Sequence, residues 1–283
     1  MRNNSLKFLW LQTLIGAVAL SACTADPKKS AELALEHAAF LAPPAAKDVV
    51  EVRTALPQGE PYFQSLWKDG HDASLDPEAA LDALNKARNK VQDLRLVKST
   101  LFALVSADGK VIRTDQSQDM MAGKNLFETF GALREAVSGK YTEARGSMPE
   151  ARGVEGKPDG QWLAAAPVSA DGKVRGLYVS GWSWALYTHR LESALQGHLI
   201  DLDKRDKPLV YVFVVVGKQA FGARITPLVN SEAIEKLDPM SHLGDADSYS
   251  TTLEITGRQF GVAFKKVPEL GPDVAIGVLR SET

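Results

Sequence analysis

Apolar residues recur along this chain in two spacings, one typical of helices and one typical of strands. In residues 76–97, leucine, alanine and valine side chains return every three or four positions, which is the spacing of one apolar helix face. Asp76, Pro77 and Glu78 form a helix-start signal, because Asp accepts from free backbone N–H groups and Pro fits the first turn. The same period runs through residues 183–202. The pattern therefore predicts a long amphipathic helix at 76–97 and another helix at 183–202.

The strand pattern is organised around one phrase that occurs twice. Residues 105–111 and 168–174 both have the sequence VSADGKV, and each copy lies between apolar runs rich in β-forming residues. An Asp-Gly pair between two such runs is a strong signal for a tight hairpin, since Gly supplies a positive φ and Asp tolerates one. The phrase predicts two hairpins with a common structural role, and the alternative is two similar turns that arose independently.

Proline positions divide the segment before residue 76 into three shorter predicted helices. Residues 31–41 have helix-forming composition, and Pro43 and Pro44 are expected to end that helix. Residues 45–56 predict a second helix, and residues 61–68 carry apolar side chains at helical spacing.

The remaining segments predict a short helix and a second small group of strands. Residues 127–137 favour a short helix that Gly139 ends. Residues 209–216 are nearly all apolar and mostly β-branched, which predicts a buried strand. A return strand is expected over 221–225, and residues 242–249 are expected to form a loop. The last elements are a helix at 231–237 and strands at 250–255, 259–267 and 274–279. This order of elements repeats the plan of the central stretch without its sequence.

The first 23 residues have the pattern of an export signal. Arg2 and Lys7 precede an apolar run from residue 8 to residue 20, which is shorter than the roughly 20 residues needed to cross a bilayer. The run ends in LSAC, which resembles the bacterial lipobox, and the resemblance implies cleavage after residue 22 and lipid attachment at Cys23. Thr24 in place of Asp favours the outer membrane. The alternative is an ordinary secretion signal that happens to end near a cysteine.

Composition and charge exclude several classes of function. The chain has 33 basic and 35 acidic residues, a net charge of −2, so neither nucleic acid nor an anionic lipid surface is an expected electrostatic partner. Cys23 is the single cysteine, so no intramolecular disulfide is expected. The five histidines are scattered, and no nucleophile elbow or phosphate loop is present. We expect no cofactor, no metal site and no catalytic residue.

Taken in order, the motifs of the central stretch resemble those of a Cache domain, the PAS-like extracytoplasmic sensor of bacterial chemoreceptors and sensor kinases. The residues that carry the resemblance are LVSADGKVI at 104–112, GKNL at 123–126, AAPV at 165–168 and DGKVRG at 171–176. The resemblance covers residues 76–195, and the tail from residue 209 fits a smaller second lobe by strand order. It implies an α+β fold in which a long N-terminal helix packs on two PAS-like lobes with antiparallel sheets. It also implies that a small metabolite binds in the membrane-distal lobe, between the sheet and the loops that cover it.

The resemblance sets the expected domain limits and also has two departures. We expect a lipoprotein signal peptide at 1–22, a tether with helices at 23–75, the membrane-distal lobe at 76–205 and the smaller lobe at 206–283. The cluster typical of amino-acid-binding members is missing, and Ser180, Gly181 and Trp182 stand where such members carry an Asp. No membrane helix follows the last strand, so a signal is expected to pass to a partner protein.

Side chains near the end of the second hairpin are the candidate ligand contacts. Strand alternation puts Tyr178, Ser180, Trp182 and Trp184 on one face, and aromatic residues with polar atoms suit a small-molecule pocket. The alternative is that these residues form a hydrophobic core between strand and helix. The other candidates are Arg113, Asp115 and Trp162. For Arg113 an anion-binding role stands against a solvated surface position.

Two hypotheses follow for the function. The first is a periplasm-facing lipoprotein that binds a small ligand and signals through a partner protein. The second is a structural or interaction lipoprotein whose pocket is filled by its own side chains.

Overall fold

The computed structural model describes residues 26–68, 71–73, 76–96, 99–151, 159–202 and 208–282. Cys23 and the whole predicted export signal lie outside these ranges. The α-helices are α1 Pro27–Ala55, α2 Pro77–Lys90, α3 Gln92–Leu96, α4 Trp184–Leu202, α5 Leu228–Leu237 and α6 Pro239–Leu243. The strands are β1 Leu101–Ser106, β2 Val111–Thr114, β3 Thr142–Gly146, β4 Gln161–Ala170, β5 Lys173–Ser183, β6 Leu209–Val216, β7 Gln219–Gly222, β8 Ser248–Ile255, β9 Arg258–Lys266 and β10 Val274–Ser281.

The strands form two antiparallel sheets with the same topology. The first has the order β2-β1-β5-β4-β3, and the second has the order β7-β6-β10-β9-β8. Each sheet therefore begins with a hairpin, and the third, fourth and fifth strands follow after an intervening helical segment. The predicted α+β fold with two antiparallel lobes is confirmed, and so is the repeated plan.

Both Asp-Gly pairs lie at hairpin turns, as the repeated phrase predicts. In the second turn Asp171 has φ +53° and Gly172 has φ +72°, the pair of positive angles that a two-residue hairpin favours. In the first turn only Gly109 is positive, at +92°, and the register of β1 against β2 shifts between Leu104 and Val105. The same phrase thus makes two hairpins of slightly different geometry.

The prediction that Pro43 and Pro44 end a helix is wrong. Helix α1 is continuous through both prolines, which are exposed. The hydrogen bonds that proline cannot make are lost on the solvent side of the helix, where water can bind the freed carbonyls. The opposite face is buried along its whole length, at Ala34, Ala38, Leu41, Ala45, Val49 and Val52. Packing of this face outweighs the local preference of the prolines.

The long helix of the fold is therefore α1, and the predicted helix at 76–97 is divided. Helix α2 ends at Lys90, because Val91 adopts extended angles of φ −83° and ψ 107°. The short helix α3 follows. The predicted helix at 61–68 and the one at 127–137 are both made of 3₁₀ turns, and α6 occupies the start of the predicted loop at 242–249.

Helix α1 joins the two lobes. Its first part packs across β8, β9 and β10, where Gly261 lets the helix backbone come close, since a Cβ there would lie 2.1 Å from the backbone N of Ala31. The 3₁₀ turn that follows α1, Leu56–Tyr62, packs on β4 and β5 of the first sheet. Glu60 in that turn accepts a 2.8 Å hydrogen bond from the backbone N of Ser169.

Among the described residues, the buried apolar side chains form three clusters. The largest lies between the helices and the inner faces of both sheets, and each outer sheet face carries a smaller cluster of its own. Across the described ranges, no helix combines the length and apolar character needed to cross a bilayer.

Candidate ligand-binding site

The predicted aromatic residues lie on the inner face of the first sheet, against the helices. Tyr178, Ser180 and Trp182 share this face, as alternation predicts, and each is 1% exposed or less. Trp184, the fourth residue assigned to this strand face, is instead the first residue of helix α4, because β5 ends at Ser183. The rings of Trp162 and Trp182 meet edge-on with centroids 4.4 Å apart, and Trp182 meets Tyr187 of α4 at 5.0 Å. This geometry is that of a core between strand and helix. The role of these side chains in ligand binding stays a prediction.

Tyr178 is enclosed by aromatic and backbone atoms. Its ring lies 4.7 Å from that of Phe63, and a Cβ on Gly59 would come within 2.5 Å of Cε1 of the Tyr178 ring. Burial, helped by the nearby Asp115 charge, raises the pKa of Tyr178, so the phenol stays neutral. Within the described ranges its hydroxyl has no hydrogen-bond partner. Ser180 donates a 2.8 Å hydrogen bond to Ser99.

Arg113 and Asp115 point in different directions and do not meet. Nη1 of Arg113 donates to Oδ2 of Asp119 at 3.0 Å, and the Arg113 side chain is only 11% exposed. Asp115 instead accepts from the backbone N of Phe102 at 3.1 Å and from Arg88 of α2 at 3.2 Å. Arg113 is thus not a solvated surface arginine, because its charge is held in a largely buried ion pair with Asp119. Its role as an anion anchor stays a prediction.

The outer face of the first sheet is filled by the protein's own apolar side chains. The resemblance places a ligand there, beneath the loops that follow β2. In the structure, Met121, Leu126, Phe127, Phe130 and Leu133 from those loops pack on this face. Each of these five is 6% exposed or less.

A cleft of about 980 Å³ lies between the two lobes. The first lobe contributes the end of β3, the start of β4 and the start of α4. The second lobe contributes the β6–β7 hairpin and the loop before β10. Its polar lining residues include Glu143, Arg145, Asp159, Gln161 and Asp273. Its apolar lining residues include Trp162, Trp184, Phe221 and Leu270.

Two of the cleft carboxylates are fully engaged within the protein. Glu143 accepts two hydrogen bonds from Arg53, at 2.6 and 2.9 Å, and a third from Tyr141 at 3.0 Å. Asp159 caps the start of α4 by accepting from the backbone N of Ala185 at 3.1 Å. Burial and the adjacent Glu143 charge raise the pKa of Tyr141, so it serves as a neutral donor.

The other polar groups of the cleft are less fully satisfied. Nη1 of Arg145 lies 2.7 Å from Oδ1 of Asp273, and this ion pair joins β3 of the first lobe to the second lobe. The contact is close but is not aligned as a hydrogen bond, so within the described ranges the buried Oδ1 of Asp273 has no hydrogen-bond donor. Gln161 is 1% exposed and accepts from the backbone N of Met148 at 2.7 Å. Its Nε2 finds no partner in the described part of the chain.

Comparison with known proteins identifies the fold. No family model matches the sequence, and no curated protein matches it. The extracellular domain of the histidine kinase designated vpHK1S-Z8 superposes with a TM-score of 0.56 at 10% identity, over 90% of this chain and 92% of that one. This chain has the Cache-type fold. A domain of a sensory box/GGDEF family protein from Vibrio parahaemolyticus gives a TM-score of 0.51 at 10% identity, over 90% and 97% of the two chains. Methyl-accepting Chemotaxis protein X gives 0.50 at 13% identity, over 90% and 98%.

Within this Cache-type fold, the cleft contains two of the seven predicted ligand-binding residues, Trp162 and Trp184. Arg113, Asp115, Tyr178, Ser180 and Trp182 are not among its lining residues. Sequence reasoning missed Arg145, Gln161 and Asp273, because they come from separate strands and loops and share no local motif. Over the described ranges, no group of three His, Cys, Asp or Glu side chains is placed to hold a metal ion.

Proposed function

We propose that this protein is an extracytoplasmic sensor lipoprotein that binds a small metabolite and passes its occupancy to a partner protein. The observation that carries the proposal is the Cache-type fold, which extends over both lobes and nine tenths of the chain. Proteins of this fold found in the comparison include the extracellular domain of a histidine kinase and a chemotaxis receptor. The structural likeness supports the sensor class.

The proposed membrane anchor is the lipid-modified Cys23. The lipobox-like LSAC motif supports it, together with the charged and apolar segment that precedes the motif. Cys23 comes only three residues before Asp26, whose side chain caps the first turn of α1. An anchor there places the α1 start, and with it the second lobe, next to the membrane. We favour the outer membrane because Thr24 follows the cysteine.

The proposed ligand position is the interlobe cleft, with Trp162 and Trp184 among its contacts. The cleft volume of about 980 Å³ falls within the range of small-molecule sites. Its lining also has the required mixture of apolar surface and a few polar groups. The outer face of the first sheet is less suitable, because apolar side chains already fill it.

A thermal-shift screen of the full-length protein, extracted from membranes in detergent, tests the proposal. The screen covers amino acids, carboxylates, amines and purines. A ligand at 100 times its Kd stabilises the folded state by about 2.7 kcal/mol, which gives a concentration-dependent rise in Tm of several degrees. Failure of every compound to raise Tm at millimolar concentration would contradict ligand sensing.

A second candidate function is that of a structural or interaction lipoprotein without a small-molecule ligand. The packing of Phe127, Phe130 and Leu133 on the outer face of the first sheet favours it, since this is where the resemblance places the ligand. This candidate predicts a negative screen together with co-purification of a protein partner that persists when the cleft residue Trp184 is changed to Phe. Binding of a compound in the cleft would support the sensor function over this second candidate.

A further inference from the structure

We infer that the interlobe cleft binds a small organic carboxylate, with the Arg145 guanidinium as the anion anchor, and that this ligand replaces Asp273 as the partner of Arg145. The inference rests on the proposed function and adds to it the chemical class of the ligand and the way in which binding reaches both lobes.

Arg145 presents a partly exposed cation to the cleft. Its side chain is 33% exposed at the edge strand β3, and among the described residues it forms an ion pair with Asp273. Arginine offers five N–H donors in a planar fork that matches a carboxylate, whereas the contact with Asp273 is not aligned as a hydrogen bond. A ligand carboxylate that meets the fork with two parallel hydrogen bonds is a better partner than the observed one.

The neighbouring charged residues are engaged with other groups, which leaves Arg145 as the anion anchor and Asp273 as its partner. Arg53 cannot serve as the anchor, because it holds Glu143 with two hydrogen bonds and also donates to the backbone O of Glu269 at 2.8 Å. Glu143 and Asp159 do not compete for Arg145, since Glu143 is held by Arg53 and Asp159 caps α4. Asp273 is 43% exposed, so it can turn to water when a ligand replaces it.

A second donor in the cleft also favours a ligand with acceptor atoms. Nε2 of Gln161 is buried without a partner in the described ranges, and an unpaired buried donor is unfavourable. Strand alternation puts the Gln161 side chain on the opposite sheet face from that of Arg145. Both residues still line the cleft, because the cleft extends around the end of the β3–β4 edge. Trp184, Phe221 and Leu270 provide apolar surface for the carbon skeleton.

Loss of the ion pair connects ligand binding to the arrangement of the lobes. Arg145 belongs to the first lobe and Asp273 to the loop before β10 of the second lobe, with Nη1 of Arg145 also 3.3 Å from a Cβ position on Gly271 of that loop. A carboxylate that takes Arg145 therefore removes a direct contact between the lobes. Binding in the cleft then changes how firmly the second lobe, next to the proposed anchor, is held to the first.

The test measures carboxylate affinity in the full-length protein by titration calorimetry and thermal shift. The probes are acetate, succinate, citrate and benzoate, each compared with its uncharged amide. We expect at least one carboxylate to bind and its amide to bind at least tenfold more weakly. Arg145→Gln should weaken that carboxylate at least tenfold. Asp273→Asn should strengthen it about threefold or more, because the competing carboxylate is gone.

Arg175→Gln is the matched control, since Arg175 is an exposed arginine whose partner, Asp171, lies in the β4–β5 turn away from the cleft. It should bind the carboxylate like the unchanged protein. Equal affinity of Arg145→Gln and the unchanged protein would overturn the inference and leave ligand sensing intact. Binding of an amine or purine without any carboxylate would do the same. A screen in which no compound binds would remove the proposed function as well.

Discussion

Nε2 of His37 lies 2.7 Å from Nη1 of Arg280, and both side chains are buried, at 5% and 7% exposure. Arginine has no acceptor atom, so this hydrogen bond requires an unprotonated Nε2 and hence a neutral His37. Arg280 also donates to Glu282 at 2.8 Å. The cluster joins helix α1 to strand β10, and it depends on the charge state of one histidine.

The first prediction is that His37 makes the stability of the protein fall in acid. Burial first, then the charges of Arg280 and His198, lower the pKa of His37 to about 4, and Glu282 opposes them. As the pH falls, the unfolded chain binds this proton before the folded protein does. The contribution of neutral His37 to the unfolding free energy is therefore complete above pH 6.5, and it is lost as the pH falls from 6.5 to about 4. The loss amounts to about 3 kcal/mol.

Urea unfolding at several pH values between 7.5 and 4 measures this loss. His37→Gln keeps an acceptor but cannot titrate, so its unfolding free energy should depend less steeply on pH. His71→Gln, at an exposed loop position, is the control and should keep the full slope. Equal slopes for His37→Gln and the unchanged protein would show that the histidine does not act in this way.

The second prediction concerns Gly261, which controls how closely α1 approaches the second sheet. A Cβ at Gly261 would lie 2.1 Å from the backbone of Ser30 and Ala31, and backbone cannot move aside as a flexible side chain can. Gly261→Ala should therefore lower the unfolding free energy by about 2–3 kcal/mol. Gly197→Ala, in the exposed face of α4 with nothing within 4 Å, should raise it by up to about 1 kcal/mol. An unchanged unfolding free energy for Gly261→Ala would mean that α1 does not pack on the second sheet as closely as described.

The third prediction is that the Arg113–Asp119 pair is required for the loop after β2. Asp119 also accepts from the backbone N of Thr114 at 2.7 Å and of Met121 at 3.1 Å. Burial opposes its ionisation, but the hydrogen bonds from Thr114 and Arg113 outweigh burial and lower the pKa of Asp119. Asp119→Ala should lower the unfolding free energy by about 3–5 kcal/mol, because Arg113 is left buried and unpaired.

Chemical denaturation at pH 7 measures that change. Lys47→Ala removes an exposed pair with Glu51 and should change the unfolding free energy by less than about 1 kcal/mol. A similarly small effect of Asp119→Ala would contradict the structural role assigned to Arg113.

The fourth prediction separates the aromatic core from the cleft. Trp182 packs edge-on against Trp162 and Tyr187 and does not line the cleft. Trp182→Ala should lower the unfolding free energy by about 3–5 kcal/mol. With any ligand that the screen finds, Trp182→Phe should keep the affinity and Trp184→Phe should reduce it severalfold. The reverse pattern would move the ligand from the cleft to the core face of the sheet.

The fifth prediction concerns the anchor at Cys23. Several acyl chains, each stabilised by about 0.8 kcal/mol per buried CH₂, hold a protein stably on a membrane. Cys23→Ser should abolish incorporation of a labelled fatty acid into the protein, because the thiol that would carry the lipid is gone. Fatty-acid labelling of the Cys23→Ser variant equal to that of the unchanged protein would argue against lipid attachment at this position.

Most strands and both Asp-Gly turns could be predicted from the sequence, because they depend on neighbours along the chain. Strand β6 has the predicted bounds, and Gly109 and Gly172 have the positive φ that their turns require. Local signals failed where distant packing outweighed them. Pro43 and Pro44 lie inside α1 because the buried face of that helix is held by the second sheet.

Which faces are covered and which groups meet could be learned only from the packed fold. Alternation placed Tyr178, Ser180 and Trp182 together, but it cannot tell whether their face meets solvent, a ligand or a helix, since period two is the same in each case. Arg145 and Asp273 meet only because two lobes with separate hydrogen-bonded sheets are brought side by side by α1. Periodicity reflects contacts within a strand or helix, whereas a cleft depends on how completed elements pack against one another.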